Sequence, residues 1–338
     1  MSQVLVLNKN EIDSLLTLPE AIESVEAAYL AKENETGKLF PVISHEFSSG
    51  SGEVDIKSGH LRTNRVYGLK VVSWFSENQD FSLPPTFATS LIFDDRTGEP
   101  LALLNASGLT SMRTGAAGAV SMKYLAREES STLLMVGMGQ LAPYLVAAAL
   151  YVMPRLDEVI LYNPHGIEKA QQREPEFLLR LHQLLASLDD RNYNISITDE
   201  LAEAVSRSDI IVTATPSRVP LIQAGWLKPG THICAIGSDM RNKQELDSFI
   251  LSQATIYVDD KVQATLIGEA EIPLRHGLIN QESLKEISKL VITKQSGRQS
   301  EEETTVFDAT GIALQDLSIA KRIYDLAVRA NIGTAIEL

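Results

Sequence analysis

The sequence predicts an α/β protein: a doubly wound parallel sheet inserted in a second, α+β domain that carries an antiparallel sheet. Three observations lead there. From about residue 128 onwards, apolar strand-length runs alternate with helical stretches, and such alternation builds a parallel sheet with helices on its faces. Ahead of that region strand-like runs follow one another with turn signals between them, which makes hairpins. The chain then ends on a long helical stretch, expected to pack back on the first domain. At about 100–200 residues per domain, 338 residues hold two domains.

The elements follow in order. A strand is expected at 4–7 and a helix at 18–32, where Ile22, Val25, Ala28 and Tyr29 recur at helical spacing. Strands at 53–57, 67–73, 89–94 and 100–105 are separated by turn formers such as Ser-Ser-Gly-Ser-Gly (48–52) and Arg-Thr-Gly (96–98). A helix from about 113 to 126 leads out of this sheet. Strand 133–136 precedes helix 142–152, and strand 158–162 precedes a helical stretch interrupted at Pro175. Strand 195–198 precedes helix 201–206, and strands 210–214, 233–236 and 255–258 complete the parallel set. A last strand near Thr304 leads to the helix at 313–330. Residues 1–125 with 312–338 thus form one domain, and 126–311 the inserted one.

Composition excludes several classes of partner. The net charge is −14, from 44 acidic against 30 basic residues. Such a surface repels phosphate backbones and anionic membranes, so neither a nucleic acid nor a membrane is expected. The hydrophobic fraction of 44% is enough for full cores. A single cysteine, Cys234, makes no internal disulfide and lies in an apolar run. That usage, with no visible signal peptide, predicts a reducing, cytoplasmic location. The six histidines are scattered and no paired cysteines occur, so no metal site is expected.

Gly137-Met138-Gly139-Gln140-Leu141-Ala142 follows the strand 133–136 and opens a helix. This is the G-x-G-x-x-G/A pattern in its proper setting, and it predicts a Rossmann-type dinucleotide domain. The glycines permit a tight turn and close approach of backbone to a pyrophosphate, which the helix N-terminus attracts. The next strand ends in Tyr162-Asn163-Pro164-His165, without the acidic residue that would hold the ribose hydroxyls of NAD. Asn163 can bond a hydroxyl or phosphate oxygen, and His165 or Lys169 can offset a 2′-phosphate. The cofactor expected is therefore NAD(P)H, with NADPH favoured over NADH. Asn163 would otherwise serve only to cap the turn.

Charged residues near the domain junctions supply the rest. Arg113 lies among alanines and glycines in Leu-Thr-Ser-Met-Arg-Thr-Gly-Ala-Ala. Its fork suits either a substrate carboxylate or a structural salt bridge. Lys70 is flanked by apolar strand residues, so it faces outward or has a function. Asp239 follows the strand 233–236, at the end where ligands of a doubly wound sheet gather. It can hold a cationic iminium or move a proton on nitrogen. Alternatively, Asp239 or Asn242 caps a helix at 244–250.

Together YGLK (67–70), DDRTGEPLALL (94–104), LTSMRTGAA (109–117), VGMGQLA (136–142), TATPS (213–217), AIGSDMRNKQELD (235–247), IGEAE (267–271) and FDATGIALQDL (307–317) resemble the ornithine cyclodeaminase/μ-crystallin family over nearly the whole chain. The resemblance implies that Lys70 and Arg113 hold a substrate carboxylate and that Asp239 is the acid/base. It implies that Gly137, Gly139, Gln140, Leu141, Thr215, Ser217 and Gly237 line the cofactor, with Gly311 near the nicotinamide. Thr86 lies where the family has a further substrate contact. Family members are homodimers joined through the antiparallel sheet, so a homodimer is expected here.

Three departures bear on the reaction. Leu141 stands where many relatives have glutamine. The arginine that cyclodeaminases carry near Pro41-Val42 is absent. Lys57 stands where they place a glutamate, thirteen residues before the strand lysine. Two ammonium groups ~4 Å apart repel by about 1 kcal/mol in water and several at a protein-like dielectric. If Lys57 faces the site it disfavours ornithine and suits a neutral ring or a second carboxylate. The reaction expected is reduction of a small α-imino acid by NAD(P)H, with Δ1-pyrroline-2-carboxylate or a related cyclic ketimine first. An iminosuccinate- or alanine-type imino acid, a cyclodeaminase activity, and a non-catalytic ligand-binding role are the alternatives.

Overall fold

The computed structural model describes residues 3–47, 51–186 and 191–337, so the predicted turn at 48–52 lies partly outside the described residues. The chain forms two compact units, Met1–Arg113 with Ile312–Leu338, and Thr114–Gly311.

The first unit is built on one eight-stranded sheet. Its strands are β1 (Gln3–Leu7), β2 (Gly37–Leu39), β3 (Ile43–Glu46), β4 (Gly52–Leu61), β5 (Val66–Phe75), β6 (Thr86–Asp94), β7 (Pro100–Asn105) and the C-terminal strand Thr334–Glu337. Strands β4 to β7 pair antiparallel in succession, because short connections join them. The sheet is nevertheless mixed: β1 runs parallel to β7, with Leu5 opposite Ala102. No hairpin constrains that pair, since almost the whole unit separates the two strands in sequence. The short strands β2 and β3 and the C-terminal strand carry too little periodicity to be expected from sequence.

One face of this sheet is covered by the terminal helix, Ala313–Ala330, which also packs on helix Leu18–Glu33. The apolar stripe of Leu314, Leu317, Ile323 and Ala327 is buried there. So are Tyr29, Leu61, Val66, Ile92 and Leu104, each contributing about 1.5–3 kcal/mol by burial. Gly68 of the YGLK motif is required by this closeness. A Cβ there would lie 2.4 Å from the Leu91 carbonyl oxygen and 3.0 Å from Leu317.

The second unit is the doubly wound half. Its strands are β8 (Thr132–Val136), β9 (Glu158–Tyr162), β10 (Asn194–Thr198), β11 (Ile210–Thr213), β12 (His232–Ala235), β13 (Thr255–Val258), β14 (Leu284–Glu286) and β15 (Thr305–Asp308). They pair parallel throughout, in the order β10-β9-β8-β11-β12-β15-β13-β14. The winding reverses between β8 and β11, and ligands gather outside the carboxyl ends of strands at such a reversal. The glycine turn begins there, directly after Val136.

Three helix expectations need correction. The helix carrying Arg113 starts seven residues earlier, spanning Ala106–Leu125. The Asn105 side chain accepts a hydrogen bond from the Ser107 N–H and turns the chain directly out of β7, so Arg113 is in the helix body. Pro175 does not interrupt its helix, which runs through Ile167–Leu185. It sits on the exposed side, where water can bond the freed carbonyl, while Ala170, Phe177 and Leu181 anchor the other face. The helix expected at 244–250 begins at Ser248 and is capped by Asp247, so neither Asp239 nor Asn242 is its cap. No described helix is long and apolar enough to cross a membrane.

Candidate active site

The first unit gathers three cationic side chains around one carboxylate. Lys57 and Lys70 are directly opposite in the β4–β5 register, so both project from the same face. Both are buried. Lys70 Nζ donates to Asp316 Oδ1 at 2.8 Å and lies 3.4 Å from the Thr110 hydroxyl. Arg113 Nε is 3.3 Å from the same Asp316 oxygen, and its Nη1 donates to Gln315 Oε1 at 3.4 Å. Gln315 in turn donates to the Tyr29 hydroxyl at 2.7 Å. Asp316 Oδ2 is buried without a hydrogen-bond partner.

Electrostatics follow from this arrangement. Burial pushes the Lys70 ammonium down to about 8, with Asp316 resisting the fall and Arg113 and Lys57 adding to it. Burial alone would raise the Asp316 carboxyl, but Lys70, Arg113 and Lys57 together hold it below its ordinary range. Lys70 and Asp316 thus form an ion pair at neutral pH. Sequence reasoning missed Asp316 and Gln315. The available signal was two polar residues in the first turn of the terminal helix, on the side that otherwise packs apolar.

In the second unit the glycine turn has the form that a pyrophosphate needs. Gly137 has φ of +101°, and a Cβ there would lie 2.6 Å from the Ala214 carbonyl oxygen. Only glycine fits that position. Gly139 is different: a Cβ there would meet nothing within 4 Å, and Gly139 and Gln140 are exposed. Helix Ala142–Val152 starts behind Leu141 with no side-chain cap; Pro143 brings no N–H to its first turn, and the N–H groups of Ala142 and Tyr144 bond the carbonyls of Gly139 and Leu141. Arg173 donates to the Met138 carbonyl and braces the turn. These residues fit a dinucleotide.

The remaining expected cofactor residues are mostly engaged by other groups of the second unit. Thr215 gives its N–H and its hydroxyl to Glu245 Oε1, each at 2.7 Å. Gly237 gives its N–H to Glu245 Oε2 at 2.8 Å. Gly311 gives its N–H to Asp259 at 2.6 Å. The Ser217 hydroxyl donates to the Val219 carbonyl in a local turn. Asn163 is buried, and its side-chain oxygen accepts the His165 N–H. That bond is the turn-capping role set beside cofactor binding as the alternative, and it engages the side-chain oxygen. His165 itself is exposed.

These bonds expose a buried acidic framework that the sequence did not announce. Glu269 accepts from Ser238 Oγ and from the N–H groups of Glu245 and Leu246. Asp308 accepts the N–H groups of Glu269 and Ala270. Burial raises Glu245 against the hydrogen bonds it accepts; burial together with neighbouring carboxylates raises Glu269 well above the usual range and lifts Asp308 to about 7. The framework ties TATPS, AIGSD, IGEAE and FDATG into one scaffold behind the cofactor-side loops. Its only advance signal was acidic residues set among small and apolar ones.

Asp239 stands just past β12, with its side chain 54% exposed and its Oδ1 2.7 Å from Lys243 Nζ. Thr86 is exposed at the start of β6, opposite Trp74. The Lys70–Arg113 pair and Lys57 are therefore brought together, whereas Thr86 stands at the start of the neighbouring strand β6, away from Ser90, the residue opposite Lys70. Cys234 is buried beside Ser121, with its thiol pushed up to about 12 by burial. His232 bonds Ser121 and Thr305, and burial lowers it to about 3. This trio cross-links the core and is no nucleophilic dyad.

Comparison with known proteins agrees across the whole chain. A family model described as the ornithine cyclodeaminase/mu-crystallin family matches residues 2–331. The iminosuccinate reductase of Paracoccus denitrificans is 33% identical over 335 residues, covering 99% of this chain and 100% of that one. An archaeal alanine dehydrogenase, solved as a dimer with bound NAD, is 36% identical, with a TM-score of 0.88 and 99% of both chains covered. The Δ1-pyrroline-2-carboxylate reductase of Thermococcus litoralis, solved with NADH and L-proline, is 30% identical. Its TM-score is 0.90, with 98% of this chain and 99% of that one covered.

Proposed function

The chain belongs to the ornithine cyclodeaminase/mu-crystallin family, and from that premise we propose that it is a nicotinamide-dependent reductase of small α-imino acids. The observation that carries this reading is the pair of buried Lys70 and partly buried Arg113, two cations that share one carboxylate oxygen. An α-imino acid presents a carboxylate that such a pair can receive. The glycine turn and the scaffold that holds Thr215, Gly237 and Gly311 would receive the dinucleotide, which supplies hydride when bound in its reduced form. Asp239 would hold the iminium proton, with Lys243 Nζ 2.7 Å from its Oδ1 to orient the carboxylate.

Lys57 supports reduction over cyclodeamination. It is buried in register with Lys70, where the ω-ammonium of a diamino acid would meet two like charges. A cyclic imine such as Δ1-pyrroline-2-carboxylate brings no such charge and stands first. Lys57 also favours a second reading, a dicarboxylic imine such as iminosuccinate, whose extra carboxylate it would attract. Asn163, buried and capping the turn to His165, does not by itself choose between the two cofactors. The absence of an acid after β9 removes the repulsion that a 2′-phosphate would meet, which supports NADPH.

The test is cofactor oxidation with NADH and with NADPH against Δ1-pyrroline-2-carboxylate, its six-membered homologue, and oxaloacetate or pyruvate with ammonia. Stoichiometric oxidation by at least one imine is expected, with no ammonia released from ornithine. Asp239→Asn is expected to lower turnover at least about 10²-fold, the scale of a lost general acid or base, with cofactor still bound. Full turnover in that variant, or ornithine as the sole substrate, would remove the assignment.

A homodimer is proposed on the exposed apolar residues of the first unit. Phe40, Val42, Ile43, Phe47, Phe81 and Phe87 are each between 38% and 70% exposed, and exposed apolar groups of this size mark interfaces. Light scattering should read twice the chain mass of 37.1 kDa. A monomer at micromolar concentration would refute it.

A further inference from the structure

The residue that the sequence reading passed over has a part in the site. We propose that Asp316 is a positioning residue for the carboxylate receptor: it holds the Lys70 ammonium and the Arg113 guanidinium at one point, and so sets the pH range over which the receptor takes an anion. The inference rests on the reading of Lys70 and Arg113 as that receptor.

The geometry argues for an electrostatic part. One oxygen of Asp316 serves both cations, Lys70 at 2.8 Å and Arg113 at 3.3 Å. The other oxygen is buried and accepts no hydrogen bond. A carboxylate kept only to fasten the terminal helix would be expected to have both oxygens satisfied. The groups around Lys70 come from four elements: Lys57 from β4, Ser90 from β6, Thr110 and Arg113 from helix Ala106–Leu125, and Asp316 from the terminal helix. Among the charged ones, only Asp316 favours the protonated amine. Its removal leaves Lys70 buried between like charges, and Lys70 then loses its proton at lower pH. A neutral amine is a poor anion receptor.

The experiment uses Asp316→Asn in the full chain and reads kcat, KM and cofactor affinity from pH 6 to 10. In the unaltered protein kcat/KM should fall above about 8, where Lys70 deprotonates. In Asp316→Asn the fall should move at least one pH unit lower, and KM for the imine at pH 7 should rise tenfold or more. Cofactor affinity should stay within twofold. Lys70→Arg supplies the control, because a guanidinium does not titrate in this range. It should bind imine more weakly, but without the alkaline fall, and adding Asp316→Asn should not restore one. An Asp316→Asn variant that lowers only the melting temperature, with its pH profile unmoved, would overturn the proposal.

If Asp316→Asn does not fold, Asp316→Glu decides. It keeps the charge and should keep the alkaline limit within half a pH unit, and a shift of a full unit would overturn the proposal. Should the protein reduce no imine at all, the functional reading fails separately. Calorimetric titration with pyrrole-2-carboxylate as the anionic probe then reads the receptor directly. The same downward shift in its pH dependence is expected on Asp316→Asn, and no shift, or no binding to the unaltered protein, overturns the proposal.

Discussion

Replacing Arg113 with alanine should lower kcat/KM for the imino acid about 10²- to 10³-fold while leaving cofactor affinity within twofold. The size follows from removing one partner of a buried, charge-assisted contact, at about 3–4 kcal/mol. Arg113 is only 12% exposed in its side chain, so little water would replace the lost fork. The variant also takes one cation from Asp316 but leaves Lys70 in place, so the fold should persist with a lower melting temperature. Arg113→Lys should recover only part of the loss, because an ammonium lacks the planar fork. Steady-state kinetics with cofactor-fluorescence titration separates the two affinities. An Arg113→Ala enzyme with unchanged KM and kcat would mean that the guanidinium only pairs with Asp316.

Gly139→Asp should weaken dinucleotide binding about 10²-fold and leave the melting temperature nearly unchanged. The new Cβ meets no atom within 4 Å, so the fold has nothing to rearrange. The new carboxylate enters the space proposed for the pyrophosphate. Like charges ~4 Å apart repel by about 4 kcal/mol at an effective dielectric of 20, less with salt screening. Gly137→Ala makes the contrast. Its Cβ would press on the Ala214 carbonyl at 2.6 Å, at φ of +101°, so that variant should lose stability as well as cofactor. Equal cofactor affinity in Gly139→Asp and the unaltered protein would remove the pyrophosphate from this turn.

The parallel half was legible because each of its main strands is a short apolar run bounded by polar turns, a local pattern. The glycine turn was legible for a similar reason: its chemistry is set by consecutive residues. Helix ends were less so. Pro175 and the small residues 106–112 look like breaks when read locally, and amphipathic burial and the turn after Asn105 override them. Asn163 shows the same limit at the site, since one side chain had two partners open to it in sequence and the fold gave its oxygen to the His165 N–H.

The order of residues alone thus determined the two-domain α/β plan, the dinucleotide turn and the charged candidates Lys57, Lys70, Arg113 and Asp239. The tertiary structure decided what surrounds those charges. It brought Lys57 and Lys70 face to face across β4 and β5 and set Asp316 between Lys70 and Arg113. It also placed the carboxylates of Glu245, Glu269 and Asp308 behind the loops they hold. The physical reason is that Coulomb and hydrogen-bond energies depend on distance and burial. For Lys70 and Asp316, 246 positions apart in sequence, only the packing of the terminal helix on the sheet supplies either.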